Sequence, residues 1–327
     1  MKYREFGKTG IKVSELIIGG GIVGGILILA DDETKRAVIQ KAVEGGINWI
    51  DTSEAYGNGK SEENIGWLLK EIKNQFHIST KVRLDNKNLK DIPGQIERSL
   101  HASLKKLNRE SVDLYQLHNQ ITKTNGTFRE SLAEDEVLMK KGVADGLERM
   151  REQGLTRFIG ITATGDCSSL HRVVESRRFH SAQIYYNFLN PSAGRLVPKG
   201  WSAFDYKNLI DKCKQNGVAV MAIRVLAGGV VASDKRTGRE ILVSPGSDVQ
   251  SDETRAKMVR EVLGSEGNIA QTAIRYVLAN QGVSAALVGF SALNEIDEAI
   301  EAAGMGPLSA SVIKKLDRLH DTDFGKI

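Results

Sequence analysis

Short apolar runs alternate with longer amphipathic ones along almost the whole chain. The short runs are rich in Val and Ile. They span residues 14–20, 47–51, 77–81, 112–118, 157–162, 181–186, 218–223 and 285–290, and they end in small or polar residues. Between them, apolar positions recur at helical spacing, as in ETKRAVIQKAVEGG, SEENIGWLLKEI, VADGLERMREQG and a long stretch from 252 to 281. Runs that are apolar at successive positions fit strands buried on both faces, and the 3.6-residue period fits helices that cover them. Gly45, Gly46, Gly154 and Gly217 stand where such helices end. Eight strand–helix units joined by right-handed crossovers predict an α/β fold, a (β/α)8 TIM barrel; an open doubly wound sheet is the rival. No Pro/Ser linker divides the units, so residues 1–327 read as one domain. The opening KYREFG and GIKVS segments predict a polar N-terminal β-hairpin that plugs one end of the barrel. Two polar excursions, 119–136 and 231–252, follow the fourth and seventh strands. Long loops of this kind are either functional or mobile.

Composition narrows the class. Of 327 residues, 41% are apolar and 26% charged, which suits a large core that needs no disulfide or metal staple. The net charge of +4 is too even to suggest a nucleic-acid surface, and Arg177 and Arg178 read as scattered on a helix face. Cys167 and Cys213 have no CxxC or framework spacing and read as free thiols. The longest apolar stretch, Leu16–Ala30, has 15 residues and five glycines, short of the roughly 20 needed to span a bilayer. The opening MKYREFGKTG has no signal-peptide core. A cytoplasmic protein is expected, with neither membrane nor nucleic acid as a partner. Gly19–Gly24 satisfies G-x-G-x-x-G, but a new helix starts after Asp31 or Asp32 and position 40 is Gln, so no ribose-binding acid follows at the right distance. Glycines that leave room at a barrel mouth are the better reading.

In a barrel, function gathers where strands end and their following loops converge. Asp51 after INWI, Tyr56 in the next loop, Lys81 closing HIST and His118 closing VDLYQL all fall there, on neighbouring strands. A phenol is a weak acid at neutral pH, and an adjacent ammonium favours its ionised form. Buried Lys81 needs a carboxylate to stay charged, and Asp51 is at hand. His118 then donates to a substrate oxygen or relays a proton. This set suits moving a proton on or off a carbonyl or alcohol oxygen. No side chain supplies hydride, so a nicotinamide cofactor is implied. No metal-ligand spacing, G-x-S-x-G elbow or P-loop is present. A glycosidase would have to pair Asp51 with Glu54, which leaves Lys81 and Tyr56 without a task.

With these residues in place, the sequence resembles the aldo-keto reductase family over essentially its whole length. YREFGKTGIKVSELIIGG resembles the family's hairpin and first strand, and GINWIDTSEAYGNGKSEENIG its signature. ISTKV, VDLYQLHN, GLTRFIGIT, AQIYYNFLN and IRYVLANQG follow in family order. The resemblance implies a closed barrel that binds NADPH or NADH without a Rossmann fold and reduces an aldehyde or ketone. Asp51, Tyr56, Lys81 and His118 would be the catalytic residues. Gln183 would hold the nicotinamide carboxamide. The usual Ser-Asn pair is Thr162-Ala163 here, which keeps the hydroxyl and loses the amide. Where the family stacks an aromatic under the nicotinamide, this chain offers Ile223 and Arg224. Leu226 to Gly229, with Gly228 among them, resemble the loop over the pyrophosphate. Gly21 and Asp51 complete the near side of the cofactor site.

The last cofactor loop starts at Gly289 and continues with Ser291, Asn294 and Glu295, either of the first two able to cap the next helix. NADPH-preferring members usually place Lys or Arg here. This loop has none, so a 2′-phosphate would meet Glu295, and both NADP and NAD stay open. The mouth would be lined by 21–28, Tyr56, the two excursions, Trp201 and Phe204. Glycines and aliphatics favour a small or apolar substrate, while Asn119, Gln120 and Arg224 admit a polyol or sugar. Trp49 and Trp67 read as core packing. The other five histidines, at 77, 101, 171, 180 and 320, read as surface or packing residues. The expected partner is a small-molecule carbonyl substrate, and the protein is expected to be a monomer or weak homo-oligomer. A cofactor-binding sensor or accessory subunit with vestigial turnover is the alternative.

Overall fold

The computed structural model describes residues 1–72, 76–128, 130–232, 238, 248–264 and 268–327. Eight parallel strands close into a barrel. They are β1 (Leu16–Gly19), β2 (Trp49–Asp51), β3 (His77–Val82), β4 (Val112–Leu117), β5 (Thr156–Ala163), β6 (Ser181–Tyr185), β7 (Ala219–Ile223) and β8 (Ala285–Gly289). Each pairs with its neighbours in sequence, and β8 pairs back onto β1 with Leu16 opposite Ala286 and Gly19 opposite Gly289. That last pairing removes the sheet edges a doubly wound fold would keep and disposes of the dinucleotide-fold reading of Gly19–Gly24. Instead, the glycines end β1, a single helical turn Ile26–Leu29 follows Gly25, and the first long helix, α1 (Asp32–Glu44), starts after Asp31, whose carboxylate accepts from Thr34 N at 2.7 Å.

Four features differ from the sequence reading. Strand β1 is shorter than 14–20 because Ser14 belongs to the hairpin, whose strands Tyr3–Glu5 and Lys12–Ser14 pair antiparallel. The 252–281 stretch is two helices, Val249–Leu263 and Ile269–Ala279. Gly264 turns left-handed at φ 57°, and Asn268 caps the second by accepting from Ala270 N and Gln271 N. The 119–136 excursion is ordered where described. Ile121–Thr122 pairs in parallel with Leu132–Ala133, and Glu134, buried at the start of a short helix, receives Lys123 and Arg172. Most of the 231–252 excursion lies outside the described residues. Arg177 and Arg178 follow helix Cys167–Glu175 rather than lying on it, and Arg178 is paired with Asp145 and Glu148.

The hairpin does plug the barrel. Phe6, Ile11 and Val13 are buried against Ile17, Trp49, Leu114, Ala219, Met221 and Ala285. Trp49, Ala219 and Ala285 are the first residues of their strands, so this apolar floor sits at the strands' N-terminal ends. The opposite end is left for chemistry. Among the described residues no helix is long and apolar enough to cross a membrane.

Candidate active site

Alternation along β3 builds the site's centre. Thr80 points outward, donating to Glu62 on helix Lys60–Ile72 at 2.6 Å, so Ser79 and Lys81 point into the barrel. Register places Asp51, the last residue of β2, opposite Ser79. Lys81 is fully buried and spends all three ammonium protons: on Asp51 Oδ2 at 2.6 Å, the Thr52 carbonyl at 2.7 Å and Tyr56 Oη at 3.2 Å. Tyr56 stands in the turn after β2, where Asn58 and the flanking Gly57 and Gly59 take positive φ. Its ring meets His118 edge-on, with centroids 5.6 Å apart at 85°. All four residues named as catalytic therefore converge. Glu54 turns away to accept from Arg83 N and Ser99, so it does not pair with Asp51 as a glycosidase would require.

The charges follow from burial and its compensation. Burial works to strip Lys81 of its proton, but the Asp51 carboxylate and the Tyr56 oxygen outweigh it and hold the pKa above the ordinary lysine value. Burial acts unopposed on His118, and the Lys81 and Arg83 charges push the same way. Its pKa lies well below the usual imidazole value and the ring is neutral. Ser53 Oγ lies 3.1 Å from His118 Nδ1 and accepts from Ala55 N. Asp51 Oδ1 accepts from Ser79 at 2.7 Å and from the Gln183 amide at 2.7 Å, while Ser79 accepts from the Trp49 indole at 3.0 Å. Trp49 is thus more than core packing. Ser53 and Ser79 were missed in the sequence, although Ser79's place two residues before Lys81 was the signal for it.

The residues named for the cofactor line the same end of the barrel. Gln183 and Thr162 are register partners on β6 and β5. The Thr162 hydroxyl is buried and finds no partner, an arrangement costing about 1–3 kcal/mol unless a ligand supplies one. A hydroxyl beside an amide is a donor–acceptor set that fits a carboxamide. A Cβ on Gly21 would lie 3.6 Å from Tyr56 Cζ, so the open space over the phenol depends on glycine. Ile223 ends β7. Arg224 follows in a left-handed conformation at φ 58°, and burial lowers the pKa of its guanidinium. Gly228, at φ 70°, accommodates that guanidinium, since a Cβ there would stand 2.5 Å from Nη1. Gly229 N closes the same turn on the Leu226 carbonyl at 2.8 Å. Gly289 is exposed at the end of β8. Neither Ser291 nor Asn294 caps the next helix, Leu293–Gly304: the N-cap is Ala292, and Glu295 folds back onto its start. Asn294 donates to Glu298 at 3.0 Å instead. Among the described residues no cluster of His, Cys, Asp or Glu can hold a metal ion.

Known proteins share this architecture. The family model described as "Aldo/keto reductase family" matches residues 15–321. The uncharacterized oxidoreductase YqkF of Bacillus subtilis is 23% identical over 100% of this chain and 99% of its own. An L-glyceraldehyde 3-phosphate reductase of Escherichia coli O157:H7 is 26% identical over 97% of this chain and 92% of its own. The solved structure of aldo-keto reductase AKR11C1 from Bacillus halodurans, in its holo form, superposes with a TM-score of 0.75. It is 22% identical and covers 98% of this chain and 97% of that one.

Proposed function

Because the chain belongs to the aldo/keto reductase family, enzymes that interconvert carbonyls and alcohols with NAD(P)H, we propose that Tyr56 is its proton donor and that Asp51, Lys81 and His118 support it. The observation that carries this is the contact of fully buried Lys81 with both Asp51 and Tyr56 Oη. An ammonium at that point stabilises negative charge left on the phenol oxygen when its proton goes to a substrate alkoxide. Asp51 keeps Lys81 charged, and Ser79 and Gln183 in turn satisfy Asp51. Ser53 Oγ, 3.1 Å from His118 Nδ1, fixes the ring. In the tautomer with its proton on Nε2, His118 accepts from Ser53 at Nδ1 and donates to the carbonyl oxygen.

Thr162 and Gln183 would hold the nicotinamide carboxamide of NADPH or NADH. Gly21, Ile223, Arg224, Leu226, Gly228 and the 289–295 loop would line the rest of the cofactor. When bound, the reduced nicotinamide supplies hydride to the carbonyl carbon. The unpartnered Thr162 hydroxyl supports this placement. The substrate is a small aldehyde or ketone, and the E. coli relative's name points to sugar-like carbonyls. Residues 1–327 act as one domain, since the hairpin ahead of the family match closes the barrel floor.

Steady-state reduction of an aldehyde and ketone panel tests the reading. Tyr56→Phe is expected to lower kcat at least 100-fold, the usual scale for losing a general acid, with cofactor affinity nearly unchanged. Lys81→Met is expected to be at least as damaging. Turnover within a few-fold of wild type in Tyr56→Phe overturns the assignment. Tight cofactor binding without turnover on any substrate would instead indicate a cofactor-binding accessory subunit.

A further inference from the structure

We infer that Glu295 makes this enzyme select NAD(H) over NADP(H). The inference rests on the proposed placement of the cofactor across the barrel mouth and goes beyond it, because that placement serves either dinucleotide. Barrels commonly receive a phosphate on the loops after their last two strands, where backbone N–H groups and a helix N-terminus face the ligand. In this chain the donors at Ser291 and Ala292 are already taken by a carboxylate. Glu295 bends back over the start of its own helix and accepts from Ser291 N at 2.6 Å, Ser291 Oγ at 2.7 Å and Ala292 N at 3.3 Å. An incoming 2′-phosphate would have to displace a carboxylate from all three donors or lie against it with like charge.

No cation offsets this within the element. Between Arg275 and Lys314 the sequence contains no Lys or Arg, while Glu295, Asp297, Glu298 and Glu301 follow one another along the helix. Lys41, which reaches this helix from α1, is bound to Asp297 at 2.7 Å. A ribose 2′-hydroxyl meets the opposite situation. It is neutral, it carries a proton, and a carboxylate at a nucleotide-binding turn is a good acceptor for it. One side chain thus repels the phosphate and welcomes the hydroxyl.

The test is the ratio of the NADH and NADPH dissociation constants, read by quenching of tryptophan fluorescence in wild type and Glu295→Gln at low and moderate salt. Glutamine keeps an oxygen that can accept from Ser291, so the loop is retained while the charge is lost. Wild type is expected to bind NADH at least about tenfold more tightly than NADPH. Glu295→Gln is expected to shrink that ratio several-fold, mainly through tighter NADPH binding, and salt is expected to shrink it in wild type by screening the repulsion. The inference is overturned by tighter NADPH binding in wild type, by an unchanged ratio in Glu295→Gln, or by salt weakening NADPH alone, which would reveal a phosphate-binding cation. Absence of quenching by both cofactors would overturn the cofactor reading itself and this inference with it.

Discussion

A lysine with no exposed surface survives as an ammonium only if each proton has a taker, and Lys81 has three. The histidines show the converse. His320 is fully buried with Nε2 2.8 Å from the Phe188 carbonyl, and burial pushes its pKa down to about 4 despite that bond. The unfolded chain takes up this proton near pH 6.5 and the folded one only near 4. The stability contribution is therefore complete above about pH 6.5 and fades as pH falls toward 4, by about 3 kcal/mol at most. His118 and His180, also depressed, add to the same slope. Denaturant midpoints measured from pH 7 to 4 are expected to fall, and His320→Gln is expected to flatten that fall. An unchanged slope would show that His320 is not the group responsible. The sequence reads His320 as a surface or packing residue, and the structure makes it packing, with no exposed surface. Its pH role was not legible, because the surroundings that desolvate it combine Phe324 nearby in sequence with Tyr276 and Phe188 from distant segments.

The two loops flanking the barrel's closing seam are held together by elements, not single contacts. Ile26 N donates to the Phe290 carbonyl at 3.1 Å, and Gly24 lies so close to the chain after β8 that a Cβ would stand 2.5 Å from Phe290 N and 2.6 Å from Gly289 C. Backbone on the far side cannot yield as a side chain would. Gly24→Ala is thus expected to cost about 1–3 kcal/mol of stability and to weaken cofactor binding at least several-fold, checked by thermal melting and fluorescence titration. Wild-type behaviour in both measurements would mean that the seam is not rigid. At this scale the sequence predicted the existence and type of every barrel strand. It missed the division of 252–281 although Gly-Ser-Glu-Gly-Asn at 264–268 breaks the apolar period between Leu263 and Ile269.

The barrel as a whole separates stability from chemistry along its axis. Phe6 packs on Trp49 with centroids 4.7 Å apart at the plugged end, while Tyr56, Lys81 and His118 meet at the other. Trp49 joins the two: its ring forms part of the floor, and its indole N–H supports Ser79 below Asp51. Phe6→Ala is expected to lower stability by about 3–5 kcal/mol, the usual loss for a buried phenylalanine, while kcat of the folded fraction stays within about twofold. A large fall in kcat with intact folding would show that the floor transmits to the site through Trp49.

The local pattern alone determined the alternation of strands and helices, the strand-end positions of Asp51, Tyr56, Lys81 and His118, and the absence of a base after β8. Periodicity, turn residues and charge are written within a few residues of one another. Tertiary structure decided the closure of β8 onto β1, the direction of each proton in the Trp49–Ser79–Asp51–Lys81 chain, the unpartnered Thr162 hydroxyl and the fold-back of Glu295. Each of these depends on interatomic distances set to within a few tenths of an ångström, and on which neighbours exclude water. Only the closed barrel and its packed loops set those distances.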